Sequence, residues 1–265
     1  MTLKQKYGSL ALICGASEGI GAAFAHHLAA DGINLLLVAR RKEPLDALAA
    51  ELEKLHGIQT YVVPCDLADS NATEQLKVSL EGKEVNILVY NAAIPFIGRF
   101  EEDPIGHHNQ IAQANMVTPM NLIHVFGSAM LKQGKGAVIL MASLAGFQGS
   151  GFLAAYAASK AFDRVLAESL WYEWKDRGVD VIACCAGATA TPNFINTKPE
   201  KASEFAPKVQ LPADVVQECF GQLGKRPSYI TGRGNRIASF FMQRLLPRKM
   251  AIKIMGDTTR KMYRI

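Results

Sequence analysis

The sequence predicts a three-layer, doubly wound α/β fold with a central parallel sheet of about seven strands. Short apolar segments rich in β-branched residues alternate along the chain with longer segments of helical periodicity. The apolar segments are hydrophobic almost without interruption, which is typical of strands buried on both faces of a parallel sheet. The 265 residues contain neither an internal repeat nor a low-complexity linker, so we expect one large domain.

The predicted strands and helices follow one another in a regular order. Strands are predicted at residues 9–14, 33–39, 60–63, 86–90, 136–141 and 179–184, with a short one at 228–231. Helices are predicted at residues 20–30, 44–56, 71–80, 104–131, 153–175 and 212–223, where apolar residues recur at helical spacing. Because crossover helices join parallel strands, we expect the ligand site at the carboxyl ends of the strands.

Composition excludes several classes of protein. The chain is 49% hydrophobic and 20% charged, which argues against disorder. No apolar run reaches the roughly eighteen residues of a spanning helix, and the polar first residues lead into no signal sequence, so we expect a cytoplasmic protein. The cysteines are odd in number, lack C-x-x-C spacing, and are predicted to be small buried hydrophobes in a reducing compartment: Cys14, Cys65, Cys184, Cys185 and Cys219.

A glycine-rich turn joins the first predicted strand to the first predicted helix. It reads Gly15-Ala16-Ser17-Glu18-Gly19-Ile20-Gly21, with the spacing G-x-x-x-G-x-G. Glycines let the backbone approach a pyrophosphate, and the following helix N-terminus offers unpaired N–H groups. Glycines in such a turn can also serve a steric need alone. The position after the first strand nevertheless favours a dinucleotide-binding site.

The end of the second strand indicates which nicotinamide cofactor is bound. A site for NAD typically places a carboxylate here for the ribose hydroxyl, whereas an arginine pairs with the 2′-phosphate of NADP. In this chain Ala39 stands at the acidic position and Arg40 follows it. The pattern predicts NADP, and the alternative is that Arg40 and Arg41 are solvated residues at the start of a helix.

Tyr156 and Lys160 lie four residues apart on a predicted helix, and Ser143 precedes Tyr156 by thirteen residues. Residues at i and i+4 share one helix face. A free tyrosine has a pKa of about 10, and a fixed cation beside it lowers that pKa by stabilising the phenolate. The pair therefore predicts a general acid/base. The same spacing is common on solvated helix faces, so the prediction depends on the context of the other motifs.

Taken together, the motifs resemble the short-chain dehydrogenase/reductase family over residues 9–232. The resemblance implies a Rossmann fold and hydride transfer between a nicotinamide and a carbonyl carbon. It also implies that Ser143 polarises the carbonyl oxygen, that Tyr156 transfers its proton, and that Lys160 assists Tyr156 and holds the nicotinamide ribose. Asn115 would anchor a water that relays protons to Lys160. The implied catalytic residues are Asn115, Ser143, Tyr156 and Lys160.

The resemblance also implies a set of cofactor contacts. Asp66 matches the acid that contacts the adenine, Asn91 matches the motif that stabilises the central sheet, and Thr191 lies in the segment beside the nicotinamide. The chain departs from the family pattern with Cys14 in place of Thr, Ala93 in place of Gly and Ala186 in place of Pro. The cofactor-binding residues implied are Gly15, Ser17, Gly19, Ile20, Gly21, Arg40, Asp66, Leu67, Asn91, Ala92, Tyr156, Lys160, Gly187 and Thr191.

These residues predict NADPH-dependent reduction of a ketone or aldehyde in a mainly apolar substrate, either 3-oxoacyl or steroid-like. The alternative is a non-catalytic protein that senses a dinucleotide with the same fold. Segment 191–210 is predicted to be a lid over the substrate. No metal site is expected, because neighbouring histidines on a helix point about 100° apart and cannot share a metal. Four phenylalanines are predicted near the strand ends, where they either line an apolar substrate pocket or belong to the core: Phe96, Phe152, Phe194 and Phe205.

Residues 233–265 form a basic C-terminal extension that the family resemblance does not explain. They carry nine basic side chains and one acid, so the extension has a net charge of +8 and the preceding 232 residues have −3. Apolar residues recur at helical spacing on both sides of Pro247. A basic amphipathic helix can contact a membrane surface or an acyl chain, cover the substrate pocket, or pack on a partner subunit. No nucleic-acid motif accompanies the charge, and the resemblance implies a homodimer or homotetramer.

Overall fold

The computed structural model describes residues 1–200 and 208–265, and these residues form one open, parallel sheet between two layers of helices. The strands are β1 Leu10–Cys14, β2 Asn34–Ala39, β3 Thr60–Pro64, β4 Ile87–Tyr90, β5 Gly136–Ser143, β6 Val179–Ala186 and β7 Ser228–Ile230. The α-helices are α1 Leu3–Tyr7, α2 Gly19–Ala30, α3 Lys42–His56, α4 Ala72–Ser79, α5 Ile105–Ala112, α6 Thr118–Leu122, α7 Ser128–Gln133, α8 Ala154–Trp174, α9 Pro192–Asn196, α10 Pro212–Gln222, α11 Arg233–Phe240 and α12 Arg248–Tyr263.

The seven strands lie in the order β3-β2-β1-β4-β5-β6-β7, and every pair of neighbours is parallel. The order reverses between β1 and β4, because the chain builds outward from β1 first to one side and then to the other. In such sheets ligands bind in the crevice at the carboxyl ends of the strands on either side of this reversal. The predicted doubly wound fold is confirmed.

Alternate residues of each central strand point to opposite faces of the sheet and supply two separate hydrophobic clusters. In β1, Ala11 and Ile13 pack into one cluster, whereas Leu12 and Cys14 pack into the other. All five cysteines are buried and form no disulfide bond, which confirms their prediction as small core residues. Burial on both faces explains why the strands are apolar along their whole length.

The predicted helix at residues 104–131 contains two wide turns that its periodicity did not predict. The chain passes from α5 through a π-helical segment at Gln113–Val117 into α6, and through a second one at Ile123–Gly127 into α7. A π segment leaves a backbone carbonyl without its usual helical partner, and such segments are frequent at functional sites. Here the buried Tyr90 hydroxyl donates to the carbonyl of Ala114. The first wide turn is thereby tied to the end of β4.

Two strands extend further than predicted, and the extension reaches the predicted catalytic serine. The sequence pattern ends β5 at residue 141 and β6 at residue 184, but the structure continues the pairing to Ser143 and Ala186. These two residues oppose each other at the carboxyl edge of the sheet. Ala186 takes part in this strand without the restrictions that proline would impose there.

Candidate active site

The glycine-rich turn lies at the reversal point of the sheet, and its backbone is closely packed. Gly15 has φ +81°, a left-handed conformation that favours glycine. A Cβ added at Gly21 would lie 1.8 Å from the carbonyl oxygen of Gly15, so only glycine permits this close approach. The Asn91 side-chain amide donates to the same oxygen over 2.9 Å. The turn is thus held rigidly against the end of β4, where Ala92 also donates to β1 through Cys14.

The N-terminus of α2 has no side-chain cap and is open to an anion. Glu18 precedes the helix, but its carboxylate forms no cap and instead lies 2.9 Å from the Arg41 guanidinium. This ion pair draws the carboxylate from the helix end and offsets its charge there. Unpaired N–H groups and the positive end of the helix dipole are the elements of a phosphate site. Ser17 and Ile20 lie in this same turn.

The predicted adenosine contacts lie at the carboxyl ends of β2 and β3. Arg40 follows β2 directly and its side chain is exposed, so the guanidinium is accessible to a ligand. Asp66 is exposed and accepts a hydrogen bond from the Ala68 amide at 3.0 Å, which fixes the turn after β3. Leu67 is buried, and its carbonyl accepts a hydrogen bond from Thr118.

Asn115 is completely buried in the first π segment and is held by three hydrogen bonds. Its amide donates to the carbonyl of Ile94 at 3.1 Å and to the Ser159 hydroxyl at 3.0 Å, and its oxygen accepts from the Ile94 amide at 2.8 Å. Ser159 lies on α8, next to Lys160 in sequence. Asn115 therefore joins the wide turn to the helix that carries Tyr156 and Lys160.

Ser143 ends β5, and its hydroxyl accepts a hydrogen bond from the Ala145 amide at 3.2 Å. Because the oxygen is used as an acceptor in this contact, its proton is available for donation to a bound carbonyl. Tyr156 lies on the first turns of α8 and is partly exposed. Both residues thus lie at the same edge of the sheet as the glycine-rich turn.

Lys160 is buried below Tyr156, with its ammonium 6.0 Å from the centroid of the tyrosine ring. The ammonium donates to the carbonyl of Met141 at 2.7 Å and to the Asp163 carboxylate at 2.9 Å. Burial by itself lowers the pKa of Lys160, but the Asp163 carboxylate opposes this effect, with a further contribution from Tyr156, and the pKa is raised. Lys160 is therefore a fixed buried cation. One of its N–H groups remains available.

The turn after β6 brings the last predicted cofactor residues to the glycine-rich turn. A Cβ added at Gly19 would lie 2.9 Å from a methyl group of Thr191, so these residues are neighbours across the site. Gly187 packs against the buried Asn235, whose amide also donates to Gln210 at 3.2 Å. These side-chain contacts hold the turn in which Ala186 stands instead of proline.

Helix α12 lies close to the segment between β5 and α8, which leads into Tyr156. A Cβ added at Gly151 would lie 3.2 Å from the Cα of Gly256, which shows a close approach. The Arg248 guanidinium donates to the carbonyl of Phe147 at 3.0 Å. At the far end of the helix, Arg264 pairs with Glu200. Of the alternatives open for the extension, these contacts favour packing of α12 on the body of the same chain.

Tyr263 brings the extension close to Tyr156. Burial and the neighbouring Tyr156 raise the pKa of Tyr263, while a hydrogen bond with Thr197 opposes this shift. The Arg260 guanidinium stands 5.4 Å from the ring centroid of Phe152, whose backbone has φ +64°. These residues are functional candidates that the sequence pattern did not reveal, because only the folded chain brings Tyr263 near Tyr156 and Arg260 near Phe152.

The predicted aromatic group does not form one cluster. Phe152 faces the extension, as described above, whereas Phe96 packs edge-on against His107 and His108 at 5.9 and 5.6 Å. Phe194 lies in α9, and Phe205 falls outside the described residues. His107 is engaged with Asp103 at 2.8 Å. Within residues 1–200 and 208–265, no group of three or more potential metal ligands is found.

No helix in the described part of the chain has both the length and the hydrophobicity that are needed to cross a membrane. The first part of the extension nevertheless exposes large apolar side chains. Ile237, Phe240 and Phe241 are each half-exposed or more, as is Leu245. Residues 237–245 of the extension thus present an open apolar face, whereas α12 contacts residues 147–151 and exposes its own apolar residues to a smaller extent.

Comparison with known proteins identifies relatives along almost the whole chain. A family model described as short chain dehydrogenase matches residues 9–202. The 7beta-hydroxysteroid dehydrogenase of Collinsella aerofaciens is 34% identical over 238 residues, which cover 89% of this chain and 90% of that protein. The very-long-chain 3-oxoacyl-CoA reductase of Anas platyrhynchos is 29% identical over 224 residues, which cover 82% of this chain and 69% of that protein.

Solved structures agree with this relationship. A structure from work on 7beta-hydroxysteroid dehydrogenase stereoselectivity has a TM-score of 0.90 and 32% identity, and the match covers 96% of this chain and 99% of that chain. A short-chain dehydrogenase from Sphingobium yanoikuyae in complex with NADPH has a TM-score of 0.75 and 28% identity, covering 84% and 87% of the two chains. The chain therefore belongs to the short chain dehydrogenase family and is an oxidoreductase of that family.

Proposed function

We propose that the protein reduces a ketone or aldehyde of a mainly apolar substrate to the alcohol with NADPH. The observation that carries this proposal is the buried, fixed ammonium of Lys160 directly beneath Tyr156, at the edge of the sheet where Ser143 ends β5. Each of these groups has a task in carbonyl reduction. The glycine-rich turn at the end of the neighbouring strand β1 would bind the pyrophosphate of the cofactor.

The backbone of the glycine-rich turn and of the start of α2 fits a dinucleotide. The uncapped start of α2 leaves N–H groups for a pyrophosphate, and the close approach of Gly21 to Gly15 fixes the turn that precedes them. Arg40 is exposed where the adenosine ribose would lie, which supports NADP through pairing with its 2′-phosphate. Asp66 and Leu67 would border the adenine, and Thr191 the nicotinamide half. We propose these residues, with Ser17, Ile20, Asn91, Ala92 and Gly187, as the cofactor site.

The chain's own residues would position and protonate the substrate, while the bound cofactor supplies the hydride. Ser143 donates its free hydroxyl proton to the carbonyl oxygen and holds it in place. Tyr156 donates a proton to the same oxygen as the alcohol forms. Lys160 holds a positive charge 6.0 Å from the centre of the Tyr156 ring, and this charge stabilises the phenolate left by proton transfer. Asn115 fixes the wide turn against α8 and so places the proton-relay side of the site.

The relatives support the choice between the two substrate classes. The match to a 7beta-hydroxysteroid dehydrogenase covers 90% of that protein, and the match to the structure from work on such an enzyme covers 96% of this chain and 99% of that chain. This favours a steroid-like substrate over a 3-oxoacyl chain. Helix α12 would then form one wall of the substrate pocket, and segment 191–210, of which residues 201–207 lie outside the described part, would form another.

The exposed apolar face of the extension supports a second contact. Phe240 and Phe241 project from a segment whose neighbours include Arg244 and Arg248, within a region of net charge +8. An apolar face bordered by cations suits the surface of an anionic membrane. We propose a peripheral contact of this kind for residues 237–245. For the whole protein we expect a homodimer or homotetramer, and sedimentation velocity measures which of these forms.

An assay of NADPH oxidation against a panel of carbonyl compounds tests the main proposal. The panel contains an oxosteroid, a 3-oxoacyl thioester and a small ketone. The Tyr156→Phe variant is expected to lower kcat/KM for the best substrate by about 10²–10⁴-fold, the usual contribution of general acid catalysis. Tyr172→Phe is the matched control, because Tyr172 lies on the same helix and is 70% exposed. We expect it to have the wild-type rate.

The same assay separates the enzyme from a non-catalytic dinucleotide sensor. Full activity in Tyr156→Phe would contradict the proposed proton transfer. Tight NADPH binding, measured by calorimetry, together with no turnover of any carbonyl in the panel would instead favour the sensor.

A further inference from the structure

Asp163 is a buried carboxylate at the active site, and the reaction steps above do not use it. It lies one helical turn after Lys160 on α8, and its side chain is 1% exposed. One carboxylate oxygen accepts a hydrogen bond from the Lys160 ammonium at 2.9 Å. The other oxygen is buried and makes no hydrogen bond within the described part of the chain. A carboxylate in such a place is costly unless it is paired, so its position calls for a physical reason.

The groups around the Asp163–Lys160 pair are otherwise neutral or engaged elsewhere. Tyr90 of β4 lies near Asp163, and Cys185 of β6 lies near Lys160. Burial raises the pKa of both side chains, so both are uncharged. On α8 itself, Arg164 is paired with Glu168 at 3.2 Å. On the substrate side stand Tyr156 and, beyond it, Tyr263. Asp163 is therefore the counter-ion that directly contacts the Lys160 ammonium.

Two opposing effects act on the Lys160 ammonium. Burial favours the neutral amine, because a charge is poorly solvated in the interior. The Asp163 carboxylate favours the ammonium, and its effect together with that of Tyr156 is the larger, so the pKa of Lys160 is raised. Without Asp163 the effect of burial would be the larger one, so the pKa of Lys160 would fall and the proton would leave at a lower pH.

We propose that Asp163 is a positioning residue that keeps the Lys160 ammonium protonated and fixed between Met141 and Tyr156, and so extends activity to alkaline pH. The proposal rests on the function proposed above, in which the charge of Lys160 supports proton transfer by Tyr156. The contacts with Met141 and Asp163 occupy two of the three ammonium hydrogens. They leave the third for the side of the bound ligand.

The pH profile of kcat/KM in Asp163→Asn tests this role. The substitution removes the negative charge and retains the shape of the side chain. We expect the alkaline limb of the profile to move to lower pH by about 1–3 units, the size of the effect of an adjacent opposite charge. Asp163→Glu keeps the charge and is expected to restore much of the wild-type limb. An Asn variant with the wild-type profile would overturn the proposal.

Asp180→Asn is the matched control. Asp180 is also paired with a lysine, since the Lys6 ammonium lies 2.7 Å from it, but it stands at the amino end of β6 on the opposite edge of the sheet. The control removes the same charge by the same chemical change. It is expected to leave the pH profile unchanged, so an equal shift in both variants would assign the effect to net charge and overturn the proposal.

A second measurement needs neither a substrate nor a stable Asn variant. In protein labelled with ¹³C at the lysine ε-carbon, Lys160→Met identifies the Lys160 resonance, and its titration is followed in the wild type. We expect the ammonium to persist above the ordinary lysine pKa of about 10.4. Loss of the proton below that value would overturn the proposal. A persisting ammonium without turnover of any carbonyl would instead contradict the proposed function and leave the role of Asp163 in place.

Discussion

The body of the protein, residues 1–232, and the extension, residues 233–265, differ in how far their apolar side chains are buried. Leu12, Leu36 and Leu88 of the sheet are fully buried, whereas Phe240 and Leu245 of the extension are 57% and 59% exposed. The body carries a net charge of −3 and the extension +8. The apolar residues of the body build the core. Those of the extension add little to it, so we attribute them to contacts with other molecules.

The largest difference between the two regions is expected in stability. Leu36→Ala removes a fully buried side chain and is expected to lower the free energy of unfolding by about 2–5 kcal/mol, since it leaves a cavity. Phe240→Ala is the matched substitution in the extension and is expected to change it by less than about 0.5 kcal/mol. Urea denaturation measures both. Equal losses would contradict the assignment of Phe240 to an open face.

The next difference concerns the half of the extension that packs on the body. Removal of residues 248–265 takes away the contacts of α12 with Phe147 and Glu200. We expect kcat/KM for the best bulky carbonyl to fall by about 10²-fold, because the segments that position the substrate lose their support. The affinity for NADPH should stay unchanged, since that site lies in the body. A variant with full activity would show that α12 is not a wall of the pocket.

Within the body, Arg40→Ala tests cofactor preference. Loss of a charge-assisted contact with the 2′-phosphate is expected to raise the Kd for NADPH by about tenfold or more and leave that for NADH unchanged. Isothermal titration calorimetry with both cofactors measures the two constants. Arg226→Ala is the control, because this exposed arginine precedes β7 at the opposite edge of the sheet. Equal changes in the Kd values of the two cofactors would contradict the proposed contact between Arg40 and the 2′-phosphate.

The smallest effect is expected for the open apolar face of the extension. The full chain is expected to co-sediment more strongly with vesicles that contain anionic lipid than with neutral ones. The Phe240→Ser/Phe241→Ser double variant should weaken this binding severalfold, whereas Tyr172→Ser, a change at an exposed aromatic residue of α8, should not. Binding that is absent from both vesicle types, with self-association lost in the double variant, would assign the face to a second copy of the chain.

Much of the site was predictable because its residues lie at fixed places in local motifs. The glycine-rich turn follows β1, Ser143 ends β5, and Tyr156 and Lys160 share a face of α8. Strand periodicity and helical spacing are local properties, and a parallel sheet brings the carboxyl ends of its strands to one edge. The motifs therefore converge in the fold as the sequence order implies.

Other parts of the site depend on contacts between distant segments. Asn115 occupies a wide turn that is tied to Tyr90, a residue 25 positions earlier, and helical periodicity carries no sign of that turn. Glu18 and Arg41, which are 23 residues apart in the chain, pair beside the start of α2. Asp163 offered one local signal, a carboxylate three residues after a lysine, but the same spacing is common on exposed helices. Its burial distinguishes it, and burial is a property of the fold.

The sequence alone determined the doubly wound class, the order of the elements and the chemistry of the residues at the strand ends, because apolar periodicity and glycine geometry act over a few neighbouring residues. The tertiary structure decided that α12 packs against the segment before α8 and that Lys160 has Asp163 as its counter-ion. Both outcomes depend on which distant side chains exclude water from one another, and that is settled only when the whole chain packs.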